Sequence, residues 1–213
     1  KKFKIKPICI YNPLNTSEII KKSKKHITGI NFTKKKQLKI INVGRFTNQK
    51  DHLTLLKAVN ILKKKINFEL LFVGRGVNKN NINNYIVENK MQKFVKIVGY
   101  KKNPYPYIKA SNLFILSSRY EGLPNVLLES IALKKFVISS NCPTGPSEIL
   151  DKGKGGLLFK VGDYHDLEKK IKYYSMNKKI CQKKLSFAKK RLRRFDYNFN
   201  LNKYHKLIIN FLN

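Results

Sequence analysis

The stretch EGLPNVLLE (residues 121–129) follows the apolar run NLFILSS (112–118) and decides how this part of the chain folds. A proline at position 124 fits the first turn of a helix, so the pattern predicts a strand over 112–118, a loop, and a helix over 124–133. Residues 111–150 hold only six charged side chains, although the whole chain has 46 Lys and Arg and 12 Asp and Glu in 213 residues. This local loss of charge indicates a site.

Strand and helix patterns alternate on both sides of this stretch. Apolar runs that predict strands lie at 38–44, 68–74, 94–99, 112–118, 135–141 and 155–161. Helical or mixed patterns between them lie at 55–66, 82–90, 104–110, 124–133 and 146–151. This alternation predicts an α/β fold, a Rossmann-like doubly wound parallel sheet of about six strands flanked by helices. Only helices are expected after Gly162, and the last is an amphipathic helix with the apolar stripe Leu201, Tyr204, Ile208 and Phe211.

Composition excludes several classes of protein. Hydrophobic residues make up 42% of the chain and aromatic residues 11%, which is enough apolar material for a core despite a formal charge of +34. No apolar run reaches the roughly 18 residues that cross a bilayer, and the first residues lack the apolar core of a signal peptide. We therefore expect a folded, cytoplasmic protein.

The side chains that commonly bind metals are scattered along the chain. Cys9, Cys142 and Cys181 form no C-x-x-C pair and have no histidine at metal-ligand spacing, so neither a disulfide framework nor a metal site is expected. The four histidines are expected to be ordinary surface or interface residues; they are His26, His52, His165 and His205.

The excess of positive charge leaves an alternative function open. A strongly basic surface attracts nucleic acid and other polyanions. However, 40 of the 46 cations are lysines and only six are arginines, whereas recognition of base edges and phosphates favours arginine. We therefore favour a solvated lysine coat, and we keep a basic nucleic-acid- or polyanion-binding protein as an alternative.

Glycines and cations follow the predicted strands at the edge where parallel strands end. Gly44, Arg45 and Lys50 follow the first strand, Gly74 follows the second and Tyr100 the third. Glycines let a ligand approach the backbone, cations neutralise a diphosphate, and the first N–H groups of the helix after the fourth strand form an anion site. Because open parallel sheets bind ligands at this edge, we expect an anionic ligand here.

Two acids near this edge suit a ligand that carries hydroxyl groups. Glu121 lies in the loop after the fourth strand, and Glu129 lies among apolar residues of the helix predicted over 124–133. An ionised carboxylate in apolar surroundings needs hydrogen-bond donors, and sugar hydroxyls would serve. The alternative is that Glu121 is a plain loop acid and Glu129 a surface helix acid.

Four motifs, in this order, resemble the carboxyl-terminal, donor-binding half of a retaining GT-B glycosyltransferase of family-4 type (glycosyl transferases group 1). They are VGRFTNQKD (43–51), LLFVGRG (70–76), VGY (98–100) and EGLPNVLLE (121–129). The resemblance extends from about residue 11 to the last helix. It implies one half of a GT-B fold.

The resemblance implies a role for each matching position. Arg45 and Lys50 would hold the donor diphosphate and Glu121 would contact the transferred sugar, so these three are the candidate catalytic residues. The candidate binding residues are Gly44, Arg45, Lys50, Gly74, Tyr100, Glu121, Gly122, Leu123, Pro124, Asn125 and Glu129. Glu129 would bind the ribose and Tyr100 would lie beside the base. No metal or other cofactor is expected, because protein cations and a helix end would stabilise the leaving nucleoside diphosphate.

The resemblance also implies an organisation and a function. Residues 1–37 would be a connector from a missing N-terminal domain, 38–200 a nucleotide-sugar-binding domain, and 201–213 a crossover helix. The activity would be a hexosyltransferase-type transfer, with retention, from a UDP-sugar to a saccharide or lipid-linked acceptor. The expected partners are donor, acceptor, the N-terminal domain and the inner face of the membrane, with no specific nucleic acid. The isolated chain is expected to be inactive, and a non-catalytic nucleotide-sugar-binding domain is the second alternative.

Overall fold

A computed structural model describes residues 8–29, 32 and 37–212. The strands are β1 Leu38–Val43, β2 Phe68–Val73, β3 Val95–Gly99, β4 Leu113–Leu116, β5 Phe136–Ser140 and β6 Leu157–Phe159. The helices are α1 Thr16–Lys22, α2 His52–Leu62, α3 Lys79–Glu88, α4 Tyr105–Ala110, α5 Asn125–Ala132, α6 Pro146–Ile149, α7 Tyr164–Met176, α8 Lys178–Arg191 and α9 Tyr197–Leu212. Two 3₁₀ turns lie at Asn48–Lys50 and Leu192–Phe195.

The six strands form one sheet in the order β3-β2-β1-β4-β5-β6, and neighbouring strands pair in parallel. Every residue of β2, β4 and β5 is buried, because helices cover both faces of the sheet. Strands of this kind appear in a sequence as continuous apolar runs, which is why the pattern located them. The predicted Rossmann-like α/β fold is confirmed.

The strand order positions the candidate site. From β1 the chain moves outward through α2 to β2 and through α3 to β3, and then returns through α4 to β4 on the other side of β1. The direction of winding therefore reverses between β1 and β4, which is where doubly wound sheets bind ligands. The loops after β1 and β4 contain Lys50 and Glu121, respectively.

The carboxyl-terminal helices pack on the sheet unequally. Helix α7 packs against α2, and α8 packs against α5 and β5. Helix α9 starts at Tyr197, earlier than the predicted 201, because Asp196 Oδ1 accepts a hydrogen bond from the Phe199 N–H at 2.9 Å and caps the first turn. The apolar stripe of α9 is exposed, from 41% at Tyr204 to 85% at Phe211, so the described part of the chain leaves it uncovered.

The described part of the predicted connector contains helix α1. Asn15 caps α1 by accepting the Glu18 N–H at 3.0 Å, and α1 packs on α4 and α5. Nearby, the Leu14 N–H donates to the Phe195 carbonyl at 2.7 Å, which ties this segment to the 3₁₀ turn after α8. Residues 1–7, 30–31, 33–36 and 213 of the predicted connector and crossover helix lie outside the described residues. The boundaries at 37 and 200 stay a prediction.

Candidate functional site

A cleft of about 450 Å³ lies at the carboxyl ends of β1, β2 and β3. Five of the predicted binding residues line it: Gly44, Arg45, Gly74, Tyr100 and Glu129. The floor is backbone, because a Cβ atom on Gly74 would lie only 1.9 Å from the Gly44 carbonyl oxygen. The two glycines therefore bring the ends of β1 and β2 into contact and leave their peptide groups close to any ligand.

Lys50 and Glu121 meet beside this cleft. Lys50 Nζ lies 2.5 Å from Glu121 Oε1, and the Ser118 hydroxyl donates to the same oxygen at 2.6 Å. The Lys50 stem passes Gly44, where a Cβ atom would lie 3.6 Å from Lys50 Cδ. Both charged side chains are largely buried, with exposures of 16% for Lys50 and 7% for Glu121. The structure thus joins two predicted catalytic residues that are 71 positions apart.

Backbone contacts hold this ion pair in place. The Ser117 hydroxyl donates to the Lys50 carbonyl at 3.0 Å, and the Arg119 N–H donates to the Gln49 carbonyl at 2.8 Å. Arg119 Nε also lies 3.2 Å from Asp51 Oδ2. The loops after β1 and β4 are therefore tied together around the ion pair.

The start of α5 lies where the sequence predicts an anion site. Pro124 has extended backbone and precedes Asn125, the first residue of the helix, and the first intrahelical bond runs from the Leu127 N–H to the Pro124 carbonyl at 3.0 Å. The N–H groups before Leu127 have no earlier helical carbonyl to bond, so the helix presents them and its positive end to the loop of Gly122.

Gly122 and Leu123 line a second cavity of about 240 Å³, together with Thr144 and Gly145 from the loop after β5. The Thr144 hydroxyl donates to the Glu121 carbonyl. Gly145 has φ +85°, and a Cβ atom there would lie 1.9 Å from the Gly122 carbonyl oxygen. The loop after β5 thus fixes the loop that carries Glu121, against the start of α5.

The side chain of Glu129, a residue of α5, reaches α4. Its Oε1 accepts a hydrogen bond from the Tyr105 hydroxyl at 3.2 Å. Burial raises the pKa of Glu129 above the ordinary glutamate value, and the bond from Tyr105 opposes that change. Burial, and then the nearby Glu129 charge, raise the pKa of Tyr105 to about 12. Glu129 therefore has one donor in place and free acceptor capacity facing the cleft.

Tyr100 forms an exposed aromatic surface at the far end of the cleft. The Arg75 guanidinium lies over its ring, with 4.7 Å from Cζ to the ring centroid, and 58% of Tyr100 is exposed. A planar, positively charged pair of this kind can stack against a heterocyclic base.

Sequence reasoning missed several residues of this site. Ser118 and Tyr105 are hydrogen-bond donors to the two glutamates. Ser118 ends the predicted strand 112–118, which was an available signal, but Tyr105 reaches Glu129 only through the packing of α4 on α5. Arg75 was expected at this edge as a cation between two glycines, and only its stacking on Tyr100 was missed. The expectation that His52 is a surface or interface residue is wrong: it is 3% exposed between Phe46 and Phe72, and burial lowers its pKa to about 4.

The described ranges also lack two kinds of feature. They contain no group of three His, Cys, Asp or Glu side chains placed to hold a metal ion. In the same ranges, no helix combines the length and the apolar character needed to span a membrane.

Known proteins are similar to this chain in sequence and in fold. The profile of the family described as glycosyl transferases group 1 matches residues 23–191. A glycosyltransferase of Methanocaldococcus jannaschii is 40% identical over 111 residues, which cover 52% of this chain and 27% of that protein. The N-acetylgalactosamine-N,N'-diacetylbacillosaminyl-diphospho-undecaprenol 4-alpha-N-acetylgalactosaminyltransferase of Campylobacter jejuni is 30% identical over 157 residues, covering 74% of this chain and 42% of that enzyme.

Solved structures show the same architecture. A TarM variant of Staphylococcus aureus, in complex with fondaparinux, alpha-GlcNAc-glycerol and UDP, superimposes with a TM-score of 0.79 at 19% identity. The match covers 96% of this chain and 40% of that one. The matched residues therefore span less than half the length of each of these three relatives. The sheet corresponds to one half of a GT-B fold. The motifs and the sheet of this chain, together with the matched profile, show that it belongs to the glycosyl transferases group 1 family.

Proposed function

We propose that this chain is the donor-binding half of a retaining glycosyltransferase that transfers a hexose-type sugar from a UDP-sugar to a saccharide or lipid-linked acceptor. The observation that carries the proposal is the buried Lys50–Glu121 pair, which lies between a glycine-floored cleft and the start of α5. Such a site offers a cation and helix N–H groups to a diphosphate, and a carboxylate to hydroxyl groups, within one loop cluster.

The predicted catalytic residues and several of the binding residues have distinct roles in the proposed reaction. Arg45, Lys50 and the start of α5 bind the diphosphate and stabilise the charge that develops on it as the bond to the sugar breaks. Glu121 accepts hydrogen bonds from the transferred sugar, while Gly122 and its neighbours approach it through their backbone. Glu129 binds the ribose hydroxyls. We propose that protein groups supply this stabilisation without a resident metal.

The proposed partners follow from the relatives and from the length of the match. The Campylobacter jejuni relative is named for an undecaprenol-linked acceptor, which supports a saccharide or lipid-linked acceptor for this chain. We propose that the unmatched part of the relatives corresponds to a further domain of the complete enzyme, and that this domain packs on the exposed stripe of α9. We propose that the complete enzyme works in the cytoplasm at the inner face of the membrane.

Ligand-dependent stability tests the proposed function. UDP or a UDP-sugar at 100 times its dissociation constant should raise the free energy of unfolding by roughly 2.7 kcal/mol. Thermal unfolding at moderate salt, with a panel of nucleoside diphosphates and nucleotide-sugars, measures this. If random oligonucleotides raise the melting temperature and no nucleoside diphosphate does, the basic polyanion-binding alternative is correct. Donor binding without transfer by the complete protein would favour the non-catalytic alternative.

Loss of the Lys50 charge should weaken UDP binding far more than loss of the charge of a surface lysine. Lys50→Gln keeps a hydrogen-bond donor for Glu121 but removes the charge that meets the diphosphate, so UDP affinity should fall on the order of tenfold or more. The matched control is Lys170→Gln on α7. Lys170 Nζ lies 3.6 Å from Asp166 Oδ1, and a surface ion pair of this kind contributes little to stability. Isothermal titration with UDP compares the two variants, and equal losses would mean that the charge acts only as a diffuse field.

Glu129→Gln should weaken UDP binding and stabilise the empty protein. The substitution removes the ionised acceptor for the ribose, so UDP should lose on the order of tenfold in affinity, whereas uracil alone should not. Because burial raises the pKa of Glu129, the folded state binds protons more readily than the unfolded chain. The stabilising contribution of this group is therefore present at acid pH and is lost as the pH rises through its raised pKa.

A comparison of melting temperatures tests this sign. The variant should melt above the wild type near pH 7, and the difference should shrink as the pH falls towards the ordinary glutamate pKa. UDP affinity should fall with pH in both proteins, because the terminal phosphate of UDP protonates at about pH 6. The fall should be steeper for the wild type, which also loses the Glu129 charge. A variant that melts below the wild type at pH 7 and binds UDP normally would place Glu129 outside the site.

A further inference from the structure

One segment concentrates the positive charge of the chain. Residues 169–195 contain 12 Lys and Arg and no Asp or Glu, whereas the other residues hold 34 cations and all 12 acids. The segment covers the end of α7, all of α8 and the turn that follows. Acid-free stretches of 32 residues also lie at 19–50 and 89–120, but they hold ten and seven cations. Of the three stretches, 169–195 therefore has the highest density of positive charge.

Helix α8 separates its buried and charged residues onto opposite sides. The inward line is Cys181, Leu185 and Ala188, all at most 4% exposed. The outward line, offset by half a turn, is Lys179, Lys183 and Lys190, all exposed. None of these three lysines belongs to an ion pair found within residues 8–29, 32 and 37–212. Their charges therefore face solvent together, without local neutralisation.

Two large aliphatic side chains stand at the start of this line. Met176, the last residue of α7, is 72% exposed, and Ile180, in the first turn of α8, is 46% exposed. Only Asn177 and two lysines separate them, so the turn between α7 and α8 combines exposed apolar atoms with cations. Exposed aliphatic groups among lysines are typical of surfaces that enter the headgroup region of a bilayer.

We infer that Met176, Lys179, Ile180, Lys183 and Lys190, the α8 surface, bind the headgroups of an anionic lipid bilayer. The lysines meet the negative surface, and the two aliphatic side chains enter the boundary between headgroups and acyl chains. Nucleic acid suits the surface less well, because a phosphate backbone offers no apolar environment to Met176 and Ile180. No residue of the α8 surface lines the donor cleft, so the inference stands apart from the proposed reaction.

Vesicle binding by the 213-residue chain tests the inference. The probe is sedimentation with vesicles of phosphatidylglycerol mixed with phosphatidylcholine, compared with phosphatidylcholine alone. Each lysine near an anionic surface contributes about fivefold in affinity, so the triple variant Lys179→Gln, Lys183→Gln and Lys190→Gln should lose on the order of a hundredfold. The matched control is the triple variant Lys64→Gln, Lys79→Gln and Lys93→Gln, which changes the net charge equally at exposed positions outside the α8 surface.

The results separate the inference from a general effect of charge. Support requires that the wild type binds only the anionic vesicles, that the control triple binds nearly as well, and that Met176→Ser with Ile180→Ser also weakens binding. Equal losses in the two triples, or no binding by the wild type, would overturn it. It also fails if the serine variant binds vesicles normally while the α8 triple loses oligonucleotide binding to the same extent. Unchanged UDP binding and melting temperature in the triples show that the fold is intact.

Discussion

The 213 residues alone are expected to bind a UDP-sugar and to transfer no sugar. In a GT-B enzyme the reaction takes place between two halves, and this chain covers 27% and 42% of two relatives. Holding an acceptor against the donor and excluding water are contributions of a closed cleft, so turnover should fall by about 10⁵-fold or more below that of the complete enzyme. Assays of the chain alone, and of the chain together with the proposed N-terminal domain, with UDP-sugars and a mixed acceptor pool measure the difference.

The exposed stripe of α9 provides a second readout of the same expectation. Tyr204, Ile208 and Phe211 are 41%, 56% and 85% exposed, so the chain alone should self-associate through this helix. Light scattering should show that Ile208→Ser reduces this association, whereas Val77→Ser, a change at an exposed residue far from α9 in the sequence, should not. Multiple-turnover transfer by the 213 residues would contradict the half-enzyme interpretation, and a general base would then have to be sought among them.

Gly145→Ala is expected to damage both the fold and the sugar side of the site. Gly145 has φ +85°, and an added Cβ would lie 1.9 Å from the Gly122 carbonyl oxygen and 2.6 Å from Pro124 Cδ. Because backbone atoms cannot give way cheaply, the free energy of unfolding should fall on the order of 2–4 kcal/mol. The loop of Gly122 would also shift, so a UDP-sugar should lose more affinity than UDP.

Gly122→Ala is the control for stability, because a Cβ atom there would meet no other atom within 4 Å. Thermal unfolding and titration with UDP and a UDP-sugar compare the two variants. If Gly145→Ala is as stable as Gly122→Ala and binds both ligands normally, the loop after β5 does not shape the site.

The sheet could be predicted because its strands are buried on both faces. Runs such as NLFILSS and KFVISSN indicate buried strands through their consecutive apolar residues. Glycines in the loops that follow mark the edge where the strands end. The residues at that edge were therefore identified from the sequence, Lys50 and Glu121 among them. Helix ends were harder, since α9 starts four residues before 201 through a cap at Asp196.

The contacts within the site could not be predicted in the same way. Lys50 meets Glu121 because β1 and β4 are neighbours and because backbone bonds tie the loop of Gln49 to that of Arg119. Tyr105 reaches Glu129 because α4 and α5 pack on the same face. Such contacts depend on tertiary distances of a few ångströms, which periodicity and composition do not encode. The sequence predicted that Glu129 needs a hydrogen-bond donor, but not that Tyr105 supplies one.

The ion pair between Lys50 and Glu121 also affects which anions bind to the protein when its site is empty. Despite a formal charge of +34, Lys50 beside the cleft is already neutralised by Glu121. A free phosphate that binds Lys50 would leave the Glu121 carboxylate, which is only 7% exposed, without its cation, and this is energetically unfavourable. Under the proposed function, a nucleotide-sugar repays that cost, because its sugar hydroxyls can donate to the released Glu121. The pair then acts as a discriminator, which keeps abundant cellular phosphate out of the site and admits a ligand that carries a diphosphate and a sugar together.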